Sequence, residues 1–157
     1  MQKIVPFFWY NYNADEALAL YSKVFGSNMK IVARSNYGDA GPGPKGALLV
    51  GTIELFGQQI SLLNGGPAYK LSPAASLLIN CETQEEVDYY WDHLLEGGQE
   101  DMCGWLRDKF GLSWQIVPTL LGKLMQDKDA RKPGNVMKAM LQMKKIVIKD
   151  LEAAYNQ

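Results

Sequence analysis

The chain has 157 residues, 47% of them hydrophobic, with 16 lysines and arginines against 17 aspartates and glutamates and a single histidine. A net charge near zero leaves no electrostatic footprint for nucleic acid or an anionic membrane, and no apolar run approaches the ~20 residues of a membrane span. Met1-Gln2-Lys3 leads straight into a strand-like segment without a signal-peptide core, so the expectation is one compact cytoplasmic domain, residues 1–157, with a core that needs no staples. Cys81 and Cys103 are too sparse for a disulfide framework and read as reduced thiols in strand segments.

Ile4 to Tyr10 is apolar and β-prone, with Pro6 near its start, where a missing donor implies an edge position. Asn13 and Glu16 then stand three apart like a capping box, and Ala17, Leu20, Tyr21, Val24 and Phe25 form a helical stripe that stops before Gly26. Met29 to Tyr37 reads as a second strand and Gly38 to Gly46 as a Gly/Pro loop. Leu48 to Phe56 and Gln58 to Leu63 are a third and fourth strand about the Phe56-Gly57 turn. The order is β-α-β-β-β.

After the Asn64-Gly-Gly-Pro67 connector, Ala75 to Cys81 is again a short apolar strand, and the pattern repeats. Thr83-x-x-Glu86 is a capping box opening a helix with the stripe Val87, Tyr90, Trp91, Leu94 and Leu95, stopped at Gly97-Gly98. Cap and stripe each lie 70 residues after their counterparts: Asn13 with Thr83, Glu16 with Glu86, Tyr21 with Trp91, Val24 with Leu94. The later turns, Phe56-Gly57 and Phe110-Gly111, correspond at an offset of 54, so the second copy has lost 16 residues and its early strand must be very short. Its hairpin runs from about Met102 to Pro118 through the Asp108-Lys-Phe-Gly111 turn. There Leu112, Trp114 and Ile116 alternate with Ser113, Gln115 and Val117. The remainder is helical: Leu120 to Met125, then a segment capped by Asp127 and Asp129 with the stripe Val136, Met137, Met140, Leu141 and Met143, then Lys149 to Tyr155. The Met-rich stripe reads as core or dimer packing rather than as a plastic binding surface.

Pro6-Phe-Phe-Trp9, Glu16-Ala17 followed by Tyr21, the Tyr37 to Gly46 loop, Asn64-Gly-Gly-Pro67 and the Cys103-Gly-Trp-Leu-Arg-Asp-Lys-Phe-Gly-Leu-Ser-Trp-Gln-Ile-Val-Pro118 stretch resemble the PhnB-like branch of the vicinal oxygen chelate superfamily. Many members of that branch carry the label 3-demethylubiquinone-9 3-methyltransferase. The resemblance implies the glyoxalase/bleomycin resistance fold. That is an α+β architecture of two β-α-β-β-β modules, about 1–66 and about 74–118, the second trimmed, with a helical C-terminal extension over about 119–157. It also implies a ligand or metal held in a cup between the modules.

In metal-dependent members of the superfamily, as the resemblance implies, His and Glu on the first and last strands of each module converge on a divalent ion. Here the one histidine, His93, lies on the second helix. The first strand offers Pro6, Phe7, Phe8 and Trp9, and its partner in the second module Ser76, Leu77, Leu78 and Ile79. Asn64 and Gln115 stand near the ends of the fourth and eighth strands, and amides coordinate a transition metal poorly beside carboxylate. No metal and no cofactor are therefore expected. The Gly41-Pro-Gly-Pro-Lys-Gly46 stretch lies between two strands, and its prolines remove donors that a phosphate or S-adenosylmethionine cradle needs.

The residues expected to meet a ligand are Trp9, Asn64, Asn80, Cys103, Trp105, Trp114 and Gln115, an aromatic and amide lining of the kind small-molecule pockets present. The three tryptophans equally suit a sheet core, Asn80 equally suits a helix cap, and alternation alone leaves open which strand faces line the cup. Cys103 beside Arg107 or Lys109 has the surroundings of a thiolate nucleophile but no second histidine as base, and as a free cysteine it better suits the place of a small hydrophobe in the core. No catalytic residue is assigned. The expected function is metal-independent binding of a small aromatic or amphipathic molecule by a homodimer, with neither nucleic acid nor membrane as partner. The alternatives are a metal-dependent enzyme of isomerase, dioxygenase or lyase type, and an interaction module whose cup is blocked by its own tryptophans.

Overall fold

The structure, a computed structural model, describes residues 2–157 and comprises two compact units, one ending at Leu71 and one running from Ser72 to Gln157. The first contains β1 (Phe7–Tyr10), α1 (Ala14–Phe25), a 3-10 turn (Gly26–Asn28), β2 (Met29–Asn36), β3 (Leu48–Leu55) and β4 (Gln58–Asn64). The strands form one mixed sheet in the order β1-β4-β3-β2. The β1/β4 pair is parallel and the others antiparallel. β1 is an edge strand, as Pro6 requires, and begins just after it; the Pro6 carbonyl accepts from Ser61 N (2.9 Å).

The apolar stripe of α1 packs on one face of this sheet. Ala17, Leu18, Tyr21, Val24 and Phe25 are buried, together with Tyr10, Ile53, Leu55, Ile60 and Leu62 from the strands. Burying side chains of this size contributes about 1.5–3 kcal/mol each before entropy is charged. Gly51 makes the contact possible, because a Cβ there would come within 2.8 Å of Leu18 Cδ1. The Gly/Pro loop after β2 folds around Tyr37, which is buried, and a Cβ on Gly43 would lie 2.2 Å from its ring. β2 forms the opposite edge, with Ile31 and Val32 about half-exposed around a bulge.

The capping box expected at Asn13 does not form. Asn13 has φ −123° and ψ 20°, not the extended conformation an N-cap needs, and its side chain makes no cap hydrogen bond. Asn64, fifty residues on, does the work instead: its Oδ1 accepts from Ala14 N (2.8 Å).

The second unit repeats the pattern with β5 (Ser76–Cys81), α2 (Gln84–Leu95), β6 (Gln99–Glu100), β7 (Trp105–Arg107) and β8 (Ser113–Pro118), in the sheet order β5-β8-β7-β6. Here the threonine cap forms, and the glutamate reaches back one residue beyond it. Thr83 is extended, its Oγ1 accepts from Glu86 N (3.2 Å), and Glu86 Oε2 accepts from Glu82 N (2.6 Å). Val87, Trp91 and Leu94 are the buried residues of α2. The expected shortening falls on β6, two residues against eight in β2. Cys103 lies outside any strand, in a turn with φ +61°.

The extension forms α3 (Thr119–Leu124), α4 (Arg131–Met140) and α5 (Ile148–Tyr155). Asp127 Oδ1 accepts from Asp129 N and Asp129 Oδ1 from Arg131 N, which leads the chain into α4. Val136, Ile146 and Leu151 are the buried centre of its own small core, and Met125, Met140 and Met143 pack against it. Met137 and Leu141, from the same stripe, face outward. Among the described residues no helix is long and apolar enough to cross a membrane.

Candidate functional site

Each sheet has one face beneath its helix and one face without it, and strand alternation sorts the candidate residues between them. In the first unit Phe8, Tyr10, Leu62 and Asn64 share the helix face, and Tyr10 and Tyr21 join by their hydroxyls (3.0 Å). Phe7 and Trp9 therefore lie on the open face with their neighbours Ser61 and Leu63. In the second unit the buried Ile79, Cys81, Leu106, Trp114 and Ile116 lie towards α2. Ser76, Leu78, Asn80, Trp105, Arg107, Ser113, Gln115 and Val117 form the open face.

Two of the seven expected ligand residues are turned away from an open face. Trp114 is 1% exposed and its Nε1 donates to Asp108 Oδ2 (3.0 Å). It shares a strand with Gln115, and adjacent strand residues cannot share a face. Asn64 spends its amide on the frame, accepting from Ala14 N and donating to Leu48 O (3.1 Å), while its own carbonyl accepts from the Tyr37 hydroxyl.

Trp9 does lie on an open face but is clamped there. Its Nε1 donates to Gly66 O (2.8 Å), its ring meets Tyr69 edge-on at 4.9 Å, and Gly65 is so close that a Cβ would lie 2.2 Å from the indole. The Asn64-Gly-Gly-Pro67 motif is thus the seat of Trp9. Asn80 is exposed on β5 and caps nothing, since Thr83 is the cap of α2.

The remaining three come together. Trp105 and Gln115 are opposite each other across the β7/β8 ladder, and Cys103 lies in the turn that leads into β7. Around Cys103 and Trp105 runs an open concavity of about 460 Å³, completed by Pro73, Asp101, Met102 and Arg107. Arg107 is held in a fork by Asp101, Nε to Oδ2 at 2.9 Å and Nη2 to Oδ1 at 3.1 Å, the geometry that fixes a guanidinium plane. Gln115 Nε2 donates to Ser76 Oγ (2.9 Å). Beside them in register, Ser113 is 1% exposed and its hydroxyl has no hydrogen-bond partner among the described residues.

Asp101 and Ser113 were not legible as site residues in the sequence. Arg107 reads there only as a charge beside Cys103, although its place two positions after Trp105 in a strand could have put it on the same face. Cys81 contributes no chemistry here: burial first, then Glu86 and Glu82, push its thiol up to about 12.

The same registers decide the donor set open to a divalent ion. On the open faces the pairs of the first and last strands are Phe7 with Ser61 and Trp9 with Leu63 in one unit. In the other they are Ser76 with Ser113, Leu78 with Gln115 and Asn80 with Val117. None is an imidazole or carboxylate, and among the described residues no three His, Cys, Asp or Glu side chains come together. Hydroxyls and two amides do not make a transition-metal shell, so these residues do not fit one.

No curated protein matches the chain. Among solved structures it is similar to a putative 3-demethylubiquinone-9 3-methyltransferase, PhnB protein, from Bacillus cereus, at 33% identity over 75% of this chain and 100% of that one, with a TM-score of 0.68. It shares its fold with protein PA1353 from Pseudomonas aeruginosa (21% identity, 75% and 98% of the two chains, TM-score 0.61). The same holds for the fosfomycin resistance protein FosX from Listeria monocytogenes (14%, 78% and 96%, TM-score 0.57), which another of its structures shows with Mn(II). The model of the family described as 3-demethylubiquinone-9 3-methyltransferase matches residues 2–117. The chain therefore belongs to this 3-demethylubiquinone-9 3-methyltransferase-like, or PhnB, family.

Proposed function

We propose that the protein binds a small aromatic or amphipathic molecule, without a metal ion, on the open face of the second unit. The observation that carries this reading is the meeting of Trp105 and the forked Arg107 around one concavity, with Gln115 opposite Trp105 across the ladder. An indole face supplies area at low entropic cost, while the guanidinium and amide orient a polar or anionic group. The absence of a fitting donor set on the same face supports binding without metal. The Gly41 to Gly46 stretch wraps Tyr37 instead of opening a helix, which gives a methyltransferase cofactor no phosphate-type cradle. In this reading two copies pair along β2, whose outer edge has no strand partner among the described residues and carries Ile31 and Val32.

Elemental analysis of the native protein, combined with tryptophan fluorescence during addition of Mn, Fe, Co, Ni and Zn ions, tests the metal-free reading. The expected result is no stoichiometric metal and no spectral response; near-stoichiometric metal removable by chelator overturns it. A fluorescence screen of aromatic acids follows, in which a hit quenches the native protein and Trp9→Phe but not Trp105→Phe. Light scattering on native protein and Val32→Lys reads the pairing, expected as dimer and monomer respectively.

A further inference from the structure

The C-terminal extension lies beyond residues 2–117, the part matched by the family model, and the structure gives it a definite task. In the first unit, β3 continues past the Thr52/Ser61 pair to Gly51, which faces Arg34 of β2 and lies under Leu18 of α1. The matching pair in the second unit is Trp105/Gln115, so Gly104 stands where Gly51 stands. Two things are missing there. β6 has already ended at Glu100, and the residue seventy positions after Leu18 is Asp88, a carboxylate that cannot cover an apolar gap.

Met143 to Ile146 supply both. The Met143 carbonyl accepts from Cys103 N and the Lys144 carbonyl from Gly104 N, each at 2.7 Å, while Gly104 O accepts from Ile116 N of β8 on the other side. Ile146, 0% exposed, brings its Cδ1 to 2.8 Å from the position of a Cβ on Gly104, the same distance that separates Leu18 Cδ1 from a Cβ on Gly51. Lys145 pairs with Asp88 (2.9 Å) and Asp92 (3.5 Å), and Lys144 with Glu100 (2.7 Å). Gln84 at the start of α2 clasps the segment from behind, donating to Ile146 O (3.1 Å) and accepting from Ile148 N (2.8 Å).

We infer that Met143–Ile146 is a surrogate for the missing stretch of strand and the missing helical leucine of the second module, and that it positions the Asp101–Arg107 wall on which the ligand is read. The wall needs such a brace. Cys103 and Gly104 both have left-handed backbones, φ +61° and +81°, and a non-glycine residue holds that conformation only where its surroundings over-determine it. The Met143 carbonyl bond is the constraint that the sheet itself does not provide. The ligand part of this inference rests on the proposed function; the bracing part does not.

Cys103 reports on its own turn, because Cys81 is fully buried and held as a thiol. The test is the rate at which N-ethylmaleimide adds to Cys103 in the full-length protein, with binding of 1-anilinonaphthalene-8-sulfonate, an aromatic anion, as second readout. Ile146→Ala is expected to speed labelling about tenfold or more and to weaken dye binding. Ile146→Val, which keeps the atom beneath Cδ1, restores most of the slow rate, and Val136→Ala, a truncation in the same core away from Gly104, stays within about twofold. Equal acceleration by Ile146→Ala and Val136→Ala, or none by Ile146→Ala, overturns the inference. Should Ile146→Ala not fold, Lys145→Met carries the test: labelling up to about fivefold faster, reproduced in the unmodified protein by high salt, is expected. Labelling of Lys145→Met at the unmodified rate overturns the brace. Faster labelling with unchanged dye binding upholds the brace and overturns the placement of the ligand.

Discussion

Asp108 is the clearest place to test the reading of the second hairpin, because one carboxylate ties its turn to the Trp114 indole. It is 3% exposed; Oδ1 accepts from Phe110 N (2.9 Å) and Leu112 N (3.1 Å), and Oδ2 from Trp114 Nε1 (3.0 Å). Asp108→Ala leaves three donors without their acceptor, two of them buried. At about 1–3 kcal/mol for each buried donor left unsatisfied, and less for the part-buried Phe110 N, the loss is about 3–6 kcal/mol. That is a large share of the ~5–15 kcal/mol that holds an ordinary domain together, and at ~2–4 °C per kcal/mol it lowers Tm by about 6–24 °C. Asp108→Asn keeps the shape and one acceptor but sets an amide NH2 against an N–H, so about half the loss is expected. Urea denaturation followed by circular dichroism and tryptophan emission measures both. Trp114→Phe completes a double-mutant cycle, with an expected coupling of about 1.5–3 kcal/mol for a hydrogen bond to a charged group. A loss below about 1 kcal/mol for Asp108→Ala, or an additive cycle, would refute the argument that Asp108 holds the turn and the Trp114 indole together.

Asn64→Ala removes the remote cap of α1 together with the tie to Leu48, and is expected to cost about 2–3 kcal/mol and to speed exchange of the Ala14 amide; a change within about 0.5 kcal/mol would show the cap to be idle. The native protein should present one thiol to a thiol reagent, Cys103, and two after unfolding. Cys81 is raised from 9.0 to about 12 in the fold, so the unfolded chain loses that proton first. Its stabilising contribution is whole below pH 9 and lost as pH rises towards 12, and Cys81→Ala should flatten that part of the alkaline fall in urea midpoint. Gly65→Ala drives a methyl into the Trp9 ring, 2.2 Å away, with an expected cost of about 1–3 kcal/mol and a shifted Trp9 emission; an unchanged spectrum would mean that the turn simply moves.

Much of this was legible in the residues themselves. Apolar stripes at helical spacing, with glycines to stop them, place both main helices, and the recurrence of the stripe after 70 residues carries the two modules and the shortened β6. Alternation in Leu112 to Val117 already required Trp114 and Gln115 to lie on opposite faces. These are consequences of backbone period, which is local and therefore written into neighbouring residues. Which face α2 covers, the transfer of the α1 cap from Asn13 to Asn64, and the use of Ile146 where the first module uses Leu18 were decided by the tertiary structure alone. Each depends on a contact between residues tens of positions apart, where several side chains of similar chemistry compete for one partner. The outcome follows from the register and packing that bring one of them within reach, and no local pattern in the chain records that choice.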